Sequence, residues 1–327
     1  MRAVFYEAMG PARDVLRLAE VETPQPGPGE VRVRIATSGV NPSDVKSRGL
    51  RKIAFPRVIP HSDGAGEIDA VGDGVAKQRI GERVWLWNGQ WRRPSGTAAE
   101  FIVVPAAQAV PLSANVSFEE GACLGIPALT ACHAVELAMT TDNKSGPGVT
   151  LLISGGAGSV AQYAIQFAKA RGAATITTIS SEDKAAIARE AGADHCIDYK
   201  REDVGARVME ITGGRGVDAI IEMDLTANAK LIPVTLRPKG SVIIYGTQPE
   251  ATIPATFCLQ NSIRLQFFLV YQLEADERAR AIAEITRMLE QGKLINRVGP
   301  TFPLAETASA HEAVERGTIG NAIVKIR

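Results

Sequence analysis

Residues 151–169, LLISGGAGSVAQYAIQFAK, carry the strongest chemical signal in the chain. An apolar run ends at Ser154, a turn of small residues follows, and an amphipathic helix starts at once. A dinucleotide pyrophosphate must come within hydrogen-bonding reach of backbone N–H groups at a helix N-terminus, and a Cβ on the turn obstructs that approach. Gly155, Gly156 and Gly158 leave the space open, Ala157, Ser159 and Val160 belong to the same binding turn, and Ala161 stands at the helix-packing position of the last fingerprint glycine. The competing reading is a tight strand–helix connection that binds nothing. A strand before, a helix after and several further strand–helix units argue against it.

The second strand, ATITTIS, decides between dinucleotides. An acid at its end bonds a ribose 2′-hydroxyl and selects NAD. Here the strand ends in Ser180 and Ser181, with Lys184 one turn into the next helix. Two hydroxyls and a cation suit a 2′-phosphate, so NADPH is the expected cofactor. Against this, Ser181 also fits as a plain helix cap with Lys184 in solvent, and Glu182 and Asp183 lend that reading weight.

PHSDGAG, residues 60–66, has the look of a metal site, since it holds one of only four histidines two residues from an aspartate. A catalytic zinc needs about three protein ligands and an open position. His61 and Asp63 offer two at best, and Cys123, Cys132, Cys196 and Cys258 are scattered without a CxxC pair. No metal is expected, and His61 is read as a polar residue that packs or hydrogen-bonds. The cysteines read as buried free thiols of a reducing cytoplasm. Trp85, Trp87 and Trp91 fall close together, with Trp85 and Trp87 on one strand face. They suit either stacking on a planar substrate or a barrel core, and Arg92 and Arg93 beside them a solvated loop or a mouth for anions.

These residues need elements to hold them. Up to about residue 120 the chain is strand-like and broken by Gly and Pro; EVRVRIATSGV, GERVWLWNGQW and AEFIVVPA all read as strands. From roughly 123 to 290 apolar strands alternate with helices, the pattern of a parallel sheet covered on both faces. The last stretch, from Arg297, returns to loop, helix and strand and is expected to rejoin the first region. The fold class is therefore α/β with a doubly wound parallel sheet. A length of 327 residues suggests two domains. Thirty-six basic residues balance thirty-six acidic ones, which leaves no electrostatic footprint for nucleic acid or an anionic membrane. No signal-peptide plan and no membrane-spanning apolar run is visible.

The segments GVNPSD, PHSDGAG, GTAAEFIVVPA, ACLGIPALTACHAV and SGGAGSVAQYAIQFAK, in this order over nearly the whole chain, resemble the medium-chain dehydrogenase/reductase superfamily. Within it they resemble the zinc-free NADPH:quinone oxidoreductase (zeta-crystallin-like) branch. The resemblance implies a GroES-like β-barrel catalytic domain from residues 1–122 and 292–327, with a Rossmann NADPH-binding domain, residues 123–291, between them. Zinc-dependent relatives place a cysteine where this chain has Asn41, and their Gly-His-Glu is here Pro60-His61-Ser62.

The same resemblance implies residue roles. Asn41 and Asp44 match the substrate-pocket pair, with Asn41 placed to bond a carbonyl oxygen as it gains charge; loop capping is the plain alternative for both. Lys46 replaces a tyrosine of many relatives and either favours an anionic intermediate or points to solvent. Thr130 matches a hydroxyl near the nicotinamide, and Ser180, Ser181, Lys184 and Tyr199 match the 2′-phosphate pocket. Tyr245, Gly246 and Thr247 line the cofactor site, the backbone of FFLVY, with Phe268 and Val270, faces the carboxamide, and Asn321 stands where relatives carry a lysine. The implied activity is NADPH-dependent quinone reduction without metal, the acceptor being protonated largely by solvent. Alternatives are an enone, 2-alkenal or enoyl-thioester reductase, or a non-catalytic NADPH-binding structural or RNA-binding protein. A cytoplasmic homodimer or dimer of dimers is expected, through the NSIRLQFF strand.

Overall fold

The computed structural model describes residues 1–140 and 148–327. They form two compact units, one of Met1–Pro127 with Thr286–Arg327 and the other of Ala128–Ile285.

In the first unit EVRVRIATSGV forms one long strand, Glu30–Val40. Its alternation puts Val31, Val33 and Ile35 into a core with Ile68, Val84, Ile102 and Val104. On the opposite face Arg32 pairs with Asp69 at 2.9 Å. This strand runs antiparallel to Asp63–Val71, and also pairs with Phe101–Pro105 along its first half and Asn321–Lys325 along its last. Arg83–Leu86 and Ala109–Pro111 extend the sheet past Asp63–Val71, and Val298–Pro303 adds a parallel strand beside Asn321–Lys325. The C-terminal stretch thus rejoins the N-terminal region in one sheet. The strand expected over GERVWLWNGQW is shorter than its apolar run: it stops at Leu86. Trp85 is fully buried within it, whereas Trp87 lies one residue beyond its end and is half-buried. Asn88 ends the run by adopting φ 54°, a left-handed conformation that asparagine tolerates better than most residues.

The second unit is a six-stranded parallel sheet in the order His195–Asp198, Ala174–Ile179, Thr150–Ile153, Val217–Glu222, Leu236–Ile244, Arg264–Phe267. The chain winds outward from Thr150–Ile153 in one direction and then resumes at Val217–Glu222 in the other. The point where the winding reverses lies between these two strands, and ligands of such sheets bind at the strand C-termini there. Helix Ser159–Ala170 buries Ala161, Ala164, Ile165 and Ala168. Helices Glu182–Glu190 and Val204–Ile211 start on side-chain caps from Ser181 and Asp203. Among the described residues no helix is long and apolar enough to cross a membrane.

Candidate functional site

In the second unit the turn after Thr150–Ile153 is fixed by its own backbone. Gly155 donates to Thr178 Oγ1 at 3.0 Å, Gly156 to the Thr178 carbonyl at 2.9 Å, and Gly158 to the Gly155 carbonyl at 2.8 Å. Gly155 sits at φ 70°, and a Cβ on Gly156 would lie 2.4 Å from Thr177 Oγ1. Two of the glycines are therefore demanded by the turn's conformation and its packing on the neighbouring strand, a reason beyond ligand approach. Gly158 caps helix Ser159–Ala170, so the N–H groups of Ser159, Val160 and Ala161 have no carbonyl one turn earlier to bond. N–H groups left open at a helix N-terminus are the kind of donors that bind phosphate oxygens.

At the end of Ala174–Ile179, Lys184 Nζ donates to Ser180 Oγ at 3.0 Å, while Ser181 Oγ accepts the Lys184 N–H. Ser181 thus caps the helix, as the plain reading expected, but Lys184 folds back to the strand end instead of standing free in solvent. Glu182 turns to Arg189 in an exposed ion pair, away from Ser180. Tyr199 is 53% exposed. Thr130 is buried in the first turn of helix Leu129–Met139. The Tyr245 N–H donates to the Glu222 carbonyl, the Gly246 carbonyl accepts from Leu225, and Thr247 Oγ1 lies 3.1 Å from Thr226 Oγ1.

Three residues that sequence reasoning missed hold these elements in place. Glu222 is buried and accepts from Ser154 Oγ at 2.6 Å, the Asp224 N–H at 2.7 Å and Asn228 Nδ2 at 2.9 Å, tying the phosphate turn's strand to the next one. Arg278 Nη2 bonds the carbonyls of Val270, Tyr271 and Leu273, which fixes the segment after the last strand. His133 packs edge-on against Phe268 with centroids 5.0 Å apart. The acid at the end of VDAIIEM was readable as a polar break in an apolar run; nothing in the sequence pointed to the other two.

In the first unit Asn41 caps helix Pro42–Leu50. Its N–H donates to Asp44 Oδ2 at 2.8 Å, and its Nδ2 donates to Asp63 Oδ2 at 2.9 Å. The Ile126 N–H reaches the same Asp63 oxygen at 2.9 Å, and Asp63 Oδ1 has no partner. Burial pushes the Asp44 carboxyl up to about 7 and that of Asp63 well above the ordinary range. Asn41 is thus held from two sides: its backbone N–H and side chain bond the Asp44 carboxyl, and its side-chain amide donates to Asp63. Lys46 is exposed. Asn321 is buried against the Cys123 thiol, which burial pushes up to about 12. His61 is wholly buried, with Nδ1 2.8 Å from Ser38 Oγ and Nε2 2.9 Å from His311 Nε2. Both ring nitrogens are thereby engaged. Among the described residues no three His, Cys, Asp or Glu side chains are grouped to hold a metal ion, so the donor set does not fit a zinc site.

The fold and this donor set place the chain in a class of two-unit proteins that join a GroES-like unit to a dinucleotide-binding sheet. Residues 27–114 match the model of the alcohol dehydrogenase GroES-like domain, and residues 159–287 that of the zinc-binding dehydrogenases. The chain belongs to the medium-chain dehydrogenase/reductase superfamily. It is 31% identical to a quinone oxidoreductase of Pseudomonas aeruginosa over 95% of both chains. It is 29% identical to a 2-haloacrylate reductase of a Burkholderia species over 99% of this chain and 98% of the other. Among solved structures it superposes on an NAD-dependent alcohol dehydrogenase with a TM-score of 0.88 and 30% identity, covering all of both chains. Escherichia coli quinone oxidoreductase complexed with NADPH gives a TM-score of 0.86 at 25% identity, again over all of both chains.

Proposed function

We propose that this protein is an NADPH-dependent reductase of quinones and similar conjugated carbonyl compounds that works without a metal ion. The observation that carries the reading is the strand end at Ser180. There a lysine ammonium is drawn onto a serine hydroxyl, and Glu182 nearby turns to Arg189. A 2′-phosphate would find a cation and hydroxyls in that place, where NAD-selecting sites end the strand in an acid. Lys184, Ser180, Ser181 and Tyr199 would hold the adenosine phosphate, the Gly155–Val160 turn the pyrophosphate, and Thr130, Tyr245, Gly246, Thr247, Phe268 and Val270 the nicotinamide half. Bound NADPH supplies a hydride. The chain's own part is to orient the acceptor: the Asn41 amide, held by Asp63 and Asp44, would turn toward an oxygen that gains negative charge. A delocalised phenolate needs no Lewis acid, in keeping with His61 being tied into hydrogen bonds and Asn41 standing where zinc-dependent relatives have a thiolate.

Purified protein should consume NADPH faster than NADH with a panel of small benzoquinones and naphthoquinones. Tight NADPH binding with no oxidation by any quinone or 2-alkenal would overturn the proposal in favour of a non-catalytic NADPH-binding protein. The 2-haloacrylate reductase among the relatives favours a second reading, an activated C=C bond as acceptor. Haloacrylates and 2-alkenals in the same panel decide it by kcat/KM. The four cysteines are free, consistent with a reducing cytoplasm as the site of action.

A further inference from the structure

Ser38, Thr97, His61, His311 and Arg48 are all buried polar side chains, and the proposed reaction uses none of them. They form one line. Thr97 Oγ1 lies 2.6 Å from the Asp63 carbonyl, Ser38 Oγ lies 2.6 Å from Thr97 Oγ1, and His61 Nδ1 lies 2.8 Å from Ser38 Oγ. His61 Nε2 then meets His311 Nε2 at 2.9 Å, and Arg48 Nε reaches His311 Nδ1 at 3.4 Å. Beyond this, Arg48 bonds the Gly10 carbonyl and pairs with the partly exposed Glu315.

The two ends determine every proton between them. A carbonyl only accepts, so Thr97 donates to Asp63 and must accept from Ser38. Ser38 has then committed its proton and accepts from His61 Nδ1–H. At the other end a guanidinium only donates, so His311 accepts at Nδ1 and carries its proton on Nε2, which it donates to His61 Nε2. Each hydroxyl and each neutral imidazole supplies one proton to one acceptor. A second proton on either ring would set N–H against N–H, and burial holds both imidazoles below their ordinary range. The line conducts no proton, because it starts on a guanidinium and stops on a peptide carbonyl.

What the line does connect is the two ends of the Asn41 loop. Arg48 stands in the last turn of the helix that Asn41 caps, and Asp63 holds the Asn41 amide. Chain and hydrogen bonds close a ring: Asn41, helix Pro42–Leu50, Arg48, His311, His61, Ser38, Thr97, Asp63, Asn41. We propose that His311 and His61 are positioning residues, locked in opposite tautomers, that hold the Asn41 amide in place for the acceptor. This rests on the reductase reading above, which assigns Asn41 its role.

The tautomers are read directly from long-range imidazole 15N–1H correlations of the unaltered protein. His61 should be the Nδ1–H form and His311 the Nε2–H form, with neither titrating between pH 8 and 5. Either ring in the other tautomer, or doubly protonated in that range, overturns the assignment. His311→Gln keeps one acceptor and one donor, whereas His311→Leu keeps neither. The Leu variant should lose about tenfold to a hundredfold in kcat with NADPH KM unchanged, and the Gln variant should recover most of that. Equal kcat in all three proteins, or Gln no better than Leu, sinks the positioning role. If no acceptor is ever turned over, the Asn41 side-chain amide resonances still report: they should shift in His311→Leu and hold in His311→Gln.

Discussion

Asp44 and His61 are both buried, and burial moves them in opposite directions. His61 is pushed down to about 3, so the folded protein refuses a proton that the unfolded chain takes up near pH 6.5. Its contribution to stability is complete above about 6.5 and falls by about 1.4 kcal/mol per pH unit as the pH drops toward 3. Asp44 is pushed up to about 7, so the folded protein keeps a proton that the unfolded chain releases near pH 4. Its contribution is complete below about 4 and declines as the pH rises to 7. Between about 4 and 6.5 the two slopes oppose, and below about 4 that of His61 is left uncompensated. His61→Asn removes the titration while keeping a donor and an acceptor, and asparagine suits the left-handed φ of 77° found there. Denaturant unfolding across pH 3–8 should show this variant gaining on its parent by about 1.4 kcal/mol per unit as the pH falls below 6.5. Parallel pH profiles for the two proteins would rule the buried neutral imidazole out.

The phosphate turn was legible because its chemistry is local. Strand, small-residue turn and helix follow one another in nineteen residues, so periodicity and glycine content were enough. The strand–helix units after it were legible for the same reason. The Trp85–Trp91 strand was overextended, because an apolar run does not reveal that Asn88 turns left-handed and ends the ladder. The role of Gly156 was only half read: the side chain it must avoid belongs to Thr177, on the next strand. Gly156→Ala should therefore destabilise the protein by about 1–3 kcal/mol and weaken NADPH binding as the turn is displaced. Thr177→Ala in the same chain should restore part of both, measured by denaturant midpoint and by NADPH titration. A Gly156→Ala protein as stable as its parent would contradict the packing reason.

At the scale of the molecule, the sequence cannot show contacts that bridge long stretches of chain. His61 and His311 are 250 residues apart, and Arg48 and Glu315 are 267 apart, so a lone histidine in a metal-like motif gave no hint of its partner. The edge of the parallel sheet bears on the homodimer we propose. Arg264–Phe267 is the last strand of the parallel sheet and, among the described residues, pairs on one side only, with Ser241–Ile244. In a parallel strand alternate residues bond to opposite neighbours. The Phe268 N–H points inward to the Ile244 carbonyl, so those of Phe267 and Leu265 point out from the edge. Phe267 is also 58% exposed, a large apolar ring on an open edge that monomeric proteins ordinarily blunt with charge. A second copy pairing there across a two-fold axis satisfies both the free N–H groups and the ring. Sedimentation equilibrium at micromolar concentration should give twice the chain mass or a multiple of it, and Phe267→Lys, which charges the edge without touching the sheet's inner bonds, should shift the protein toward the monomer. A parent chain that sediments as a monomer would leave this edge to some other covering and remove the homodimer.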